Sequence, residues 1–119
     1  MSDSGKAAEP AAYARVREIC LAYPGVAETT SWGHPNFRAG GKTFVTLEMR
    51  QQRPAICFRL EPEHVRALLQ EAQFFATPHG RGQWVSRYAD GRPPWRLIRN
   101  LVDESYHLAV ASKNRRGES

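Results

Sequence analysis

Apolar residues first recur at helical spacing over Ala12, Val16, Ile19, Cys20 and Tyr23, while Arg15, Arg17 and Glu18 fall off that stripe. Pro10 suits the first turn of such a helix and Pro24-Gly25 ends it. A helix with one apolar stripe needs a sheet beneath it. From His34-Pro35 to Leu60 the period changes to two, and three β-type runs follow. The first two are joined at Gly40-Gly41. A two-residue turn there sets Phe37 opposite Phe44 and sends Arg38 to the core, because a slip of one residue inverts every side chain. A three-residue turn, Gly40-Gly41-Lys42, sets Ala39 opposite Thr43 and Phe37 opposite Val45, which keeps the inner face apolar; this is the expected register. The third run turns Ile56, Phe58 and Leu60 inward. The outer face then carries Asn36, Arg38, Phe44, Thr46, Cys57 and Arg59, with Lys42 at the hairpin tip.

Glu61-Pro62-Glu63 opens a second helix, with proline and acids where the first turn favours them, and Val65, Leu68, Leu69 and Ala72 as its inner stripe. Phe74-Phe75-Ala76 and Trp84 to Tyr88 form a second strand pair around the loop His79-Gly80-Arg81-Gly82. The last helix begins near Pro93-Pro94 and runs to about Ser112, burying Trp95, Ile98, Leu101, Val102, Ser105, Leu108 and Ala109. The order α-β(3)-α-β(2)-α predicts a two-layer α+β domain, an antiparallel sheet covered by helices with one face left open to water. Residues 1–9 read as a disordered lead, 10–112 as the single domain and 113–119 as a basic, frayed tail.

Composition adds little to this fold but narrows the partners. The chain has 119 residues, enough for one core, and its 41% hydrophobic and 24% charged content is ordinary for a globular protein. No apolar run reaches the length of a membrane span, and the first ten residues contain no signal-peptide core, so a cytoplasmic location is expected. Cys20 and Cys57 lie far apart within apolar patterns, which predicts buried free thiols. The formal net charge of +5 favours polyanionic partners. Most of the cations are Arg, whose planar fork suits phosphate.

The segments Tyr23-Pro24-Gly25-Val26, Ser31-Trp32-Gly33-His34-Pro35-Asn36-Phe37-Arg38, Gly41-Lys42-Thr43-Phe44, Gln83-Trp84-Val85 and Ser105-Tyr106 resemble the MmcQ/YjbR family, over roughly Tyr13 to Ala111. The resemblance implies a fold similar to type III secretion chaperones. It also implies a DNA-binding role, sometimes described as a double-wing surface, and brings no catalytic residues with it.

Little in the residues themselves asks for catalysis. His34, His64, His79 and His107 are scattered, with no metal-binding spacing, and Ser31, Cys20 and Cys57 lie in no nucleophile motif, so no enzyme, metal or cofactor is expected. A frataxin-like iron protein would want an acidic first helix; here Glu18 stands against Arg15 and Arg17. Arg38, Lys42, Arg59, Arg81 and Arg87 form the candidate nucleic-acid-binding set, with Lys42 and Arg81 at two hairpin tips, placed to reach phosphates as the double-wing surface implied by the resemblance requires. The same cations also fit a solvated surface that binds nothing in particular. Trp32, His34 and Phe44 mark a second candidate, either a ligand site or simply a turn. The expectation is non-specific, phosphate-mediated DNA binding. Its alternative is a protein-interaction or small-ligand module using the open sheet face around Phe44.

Overall fold

The computed structural model describes residues 9–78 and 80–118, with side chains up to residue 111. Helix α1 (Ala11–Leu21) is followed by strands β1 (Ala27–Ser31), β2 (His34–Ala39), β3 (Lys42–Arg50) and β4 (Arg53–Arg59). Helix α2 (Pro62–Leu68), strands β5 (Phe74–Ala76) and β6 (Trp84–Tyr88) and helix α3 (Trp95–Glu118) complete the chain. The six strands form one antiparallel sheet in the order β1-β2-β3-β4-β6-β5. The two-layer α+β architecture therefore stands as expected.

Its first strand group has four members rather than three. The additional strand, β1, is an edge strand with the sequence Ala-Glu-Thr-Thr-Ser and is mostly exposed, so it carries no apolar alternation to reveal it. What defines β1 is the turn behind it. Trp32 and Gly33 have φ of 56° and 79°, Gly40 and Gly41 have 61° and 79°, and Gln51 and Gln52 have 55° and 65°. These three two-residue connections all place both central residues at positive φ, the backbone twist that matches a right-handed hairpin.

The β2–β3 hairpin corrects the expected register. Gly40-Gly41 is a two-residue turn, pairing Ala39 with Lys42 and Arg38 with Thr43, while Phe37 still pairs with Val45. The two pairings are reconciled by a bulge opposite Phe37/Arg38, which leaves Phe44 as the extra residue. A bulge lets Phe44 and Val45 both be fully buried, so Phe44 belongs to the core and not to the open face. Its ring meets Tyr106 of α3 edge-on at 5.7 Å. Lys42 accordingly flanks the turn as the first residue of β3.

All three helices lie on one side of the sheet. Arg17 of α1 reaches Glu28, the partner of Phe37; Tyr106 of α3 meets Phe44; and His64 of α2 bonds Glu104 of α3 at 2.7 Å. Val16, Val65, Ile98, Leu101 and Val102 from these helices share one core with Phe37, Val45, Leu47, Ile56, Phe58 and Val85 of the sheet. At about 25 cal/mol per Å² this apolar burial is the main stabilising term. Val65 and Leu68 of α2 are buried as expected, whereas Leu69 and Ala72 fall beyond the end of the helix and are exposed. Helix α3 continues beyond Ser112 to Glu118, through most of the expected tail. The expected disordered lead lies outside the described residues except for Glu9, which pairs with Arg17 at 2.9 Å.

Candidate nucleic-acid interface

Strand register decides which side chains share the face opposite the helices. Asn36 pairs with Thr46, Thr46 with Cys57 and Cys57 with Ser86, so these four form a polar row across the middle of that face. Hydrogen bonds link the row in two segments. Thr46 Oγ1 donates to Asn36 Oδ1 at 2.8 Å, Cys57 Sγ lies 3.2 Å from Ser86 Oγ, and Thr77 Oγ1 lies 2.7 Å from Ser86 Oγ. The Cys57 thiol also donates to Glu48 Oε2 at 2.8 Å. Desolvation, and then this bond to Glu48, push the thiol's pKa well above its ordinary value, which keeps it a protonated donor. Cys20 and Cys57 are both buried and free, as expected.

One step along the strands, Arg38 pairs with Thr43 and Arg59 pairs with Trp84. The alternation of the strands puts Arg38, Thr43, Arg59 and Trp84 on the same open face as the polar row. The Gly40-Gly41 turn and the loop from Thr77 to Gln83 both project from this end of the sheet, because they close next to these pairs. Arg38, Lys42, Arg59 and Arg81 are thereby gathered at one end, with Lys42 reaching it from the helix side, since it pairs with buried Ala39. Among the described residues none of the four forms a salt bridge, whereas Arg17 is engaged by Glu9 and Glu28 and Arg53 by Asp90. Arg38 is held by its own hairpin, donating from Nη1 to Thr43 Oγ1 at 2.9 Å and from Nη2 to the Gly41 carbonyl at 2.8 Å. Arg81 sits in a turn at φ 54°, ahead of Gly82 at 76°. His79, in the same loop, lies outside the described residues.

Arg87 is separated from this group. It pairs with Ile56 and Phe74 and so faces the helix side, where its guanidinium lies 5.4 Å from the Phe74 ring and its Nη1 donates to the Tyr88 carbonyl at 2.8 Å. Burial lowers its pKa, and its Nε is buried without a hydrogen-bond partner among the described residues. The expected second group, Trp32, His34 and Phe44, is not assembled. Trp32 lies within the β1–β2 turn and His34 follows it, at the other end of the sheet, Trp32 being 95% exposed, and Phe44 lies in the core.

Two features of the open face carried no warning in the sequence. Near the β3–β4 turn, the Arg53 guanidinium covers the Tyr88 ring at 3.6 Å and Arg50 lies 5.1 Å from Phe75, which itself packs on Tyr88 at 4.8 Å. These cations are occupied by aromatic rings and by Asp90. The second feature is a depression of about 230 Å³ beside the cationic end, with Thr43, Thr46, Glu48, Cys57, Thr77 and Trp84 on its walls. Trp84 is half-buried here. Its far wall depends on Gly80, where a Cβ would come within 2.8 Å of the Trp84 Cβ. The depression is lined from β3, β4, β6 and the loop after β5, which the β3–β4 and β4–β6 pairings bring together, a long-range closure that no local motif reports. Among the described residues no group of three or more His, Cys, Asp or Glu could hold a metal ion, and no helix is long and apolar enough to cross a membrane.

Comparison with known proteins agrees with the fold. Protein DR2400 of Deinococcus radiodurans, whose crystal structure carries the family-model domain DUF419, superposes with a TM-score of 0.72 at 22% identity, covering 81% of this chain and 76% of that one. A crystal structure of a protein from Pseudomonas syringae gives a TM-score of 0.65 at 18% identity, over 80% of this chain and 97% of that one. At such identities the likeness is one of fold. No curated protein matches the chain. The YjbR family model matches residues 21–108, which spans β1 to β6 and the first half of α3, and the chain therefore belongs to the YjbR family.

Proposed function

We propose that this protein binds nucleic acid through phosphate contacts from the cationic end of its sheet, with Arg38, Lys42, Arg59 and Arg81 as the contacting residues. The observation that supports it is the convergence of these four cations, none in a salt bridge among the described residues, at the end where the Gly40-Gly41 turn and the β5–β6 loop project. Strands β2 and β6 are three spacings apart, about 14 Å at ~4.8 Å per strand. That distance covers roughly four base-pair rises of ~3.4 Å, so several phosphates of one strand fall within reach. Arg87 is left out, since its guanidinium faces the helix layer.

Such contacts position a protein on its polymer without reading sequence. Binding is therefore non-specific, and it needs the cytoplasmic location expected from the sequence. A salt titration of duplex DNA binding tests it: each phosphate contact contributes about −0.9 to the slope of log affinity against log salt. A steep negative slope supports phosphate binding. No binding at low salt refutes it.

A further inference from the structure

The depression beside the cationic end has chemistry that phosphate contacts do not use. At about 230 Å³ it is smaller than the ~300–1,000 Å³ of sites for drug-sized ligands, and it has room for one flat ring system. Its walls differ in kind. Trp84 supplies an aromatic surface, Thr43 and Thr46 supply hydroxyls, and Glu48 supplies a carboxylate. Glu48 Oε2 is fixed by the Cys57 thiol, which leaves Oε1 unpartnered among the described residues and sets the direction of the carboxylate fork. A fixed, acceptor-only fork is suited to two neighbouring N–H donors.

The rim has the opposite charge. Arg38 is the register partner of Thr43, and Arg59 that of Trp84, so both guanidinium-bearing residues adjoin lining residues of the depression on the same face. A negative interior beside a positive rim orients a nucleotide with its base inward and its phosphate outward. The reverse orientation would set phosphate against the Glu48 carboxylate.

Resting on the phosphate-binding proposal above, we infer that the depression takes one unpaired guanine of a single-stranded nucleic acid. The base stacks on Trp84 and gives its N1–H and 2-amino donors to Glu48, while its flanking phosphates lie against Arg38 and Arg59. Guanine is the base that presents two adjacent donors on its pairing edge, whereas thymine presents one donor between two acceptors. That edge is free only in a single strand, where proteins stack bases on aromatic rings and read their pairing edges.

The test compares three short oligonucleotides on the unaltered protein: an oligothymidylate, the same with one central dG, and the same with deoxyinosine there, which lacks the 2-amino group. The dG strand is expected to bind about tenfold more tightly than the oligothymidylate, within the range of a good bidentate contact, with deoxyinosine in between. Glu48→Gln, which keeps the size of the side chain, should remove that preference and leave the salt slope unchanged. Equal affinity for all three strands, with a steep salt slope, overturns the guanine site and leaves phosphate binding standing. A dG preference that survives Glu48→Gln overturns the assigned role of Glu48. No binding of any strand at low salt overturns both proposals.

Discussion

Arg38 Nη1 donates a hydrogen bond to Thr43 Oγ1 at 2.9 Å across the bulged β2–β3 hairpin, and the same guanidinium reaches the Gly41 carbonyl. A cation proposed to meet phosphate is thus also a fastening of the turn that presents it. Charge and fork geometry can be separated by substitution. Arg38→Lys should keep the salt slope of DNA binding but lose about 1 kcal/mol of stability, because an ammonium cannot span both acceptors. Arg38→Ala should lose the same stability and flatten the slope by about one unit. Urea unfolding and salt titration measure the two effects independently.

Phe44 tests the corrected register. A side chain fully buried against Tyr106 should cost about 3–5 kcal/mol on truncation to Ala, whereas on the open face the loss would be small. The midpoint of urea unfolding of Phe44→Ala checks this, and Phe44→Leu should fall between that variant and the unaltered protein.

Trp32 combines a positive φ of 56° with 95% exposure, so its side chain contributes almost no burial and its backbone is strained. Asn before Gly is a favoured pair for such a turn. Trp32→Asn should therefore raise stability by about 1 kcal/mol, seen as a higher thermal midpoint. It should leave DNA binding unchanged, since this turn lies at the end of the sheet away from Arg38 and Arg59.

Several buried or half-buried weak acids shape the response to alkaline pH. Burial raises the pKa of Tyr13 and of Tyr23 to about 12, the latter helped by its hydrogen bond to Asp103, and desolvation raises Cys20 and Cys57 above the ordinary thiol value of 9.0. A folded-state pKa above the unfolded one means that the unfolded chain releases its proton first. The associated stability is present below the unfolded values and is lost as pH rises through the folded ones. Unfolding free energy should thus hold steady up to about pH 8 and fall from about pH 9 onward. At pH 8 a thiol reagent should label neither cysteine in the folded protein and both after unfolding.

The helices and the strands β2 to β6 were legible in the sequence because each carries the period of its own element. Ile98, Leu101, Val102, Ser105 and Ala109 of α3 are buried as their spacing foretold. β1 escaped notice because an exposed edge strand has no inner face to mark. The register of Phe44 failed for a different reason: a bulge costs one residue of phase, and apolar alternation across Thr43-Phe44-Val45 fits either solution. The two hairpins position Arg38, Lys42 and Arg81, whereas Arg59 ends β4 and meets them only through long-range pairing with β6. Arg87 stands apart from them because alternation along β6 turns it to the helix side, where it pairs with Phe74. The depression with Glu48 and Cys57 depended on long-range pairing that only the folded chain reveals.

The central claim is that phosphate contacts are made by the cations at one end of the sheet. It is tested most directly by the salt dependence of duplex binding in the unaltered protein and in a Lys42→Ala/Arg81→Ala double variant. Four contacts predict a log–log slope of about −3.6 for the unaltered protein, and losing two of them predicts about −1.8. Equal slopes in the two proteins, or no binding by either at low salt, would contradict the account.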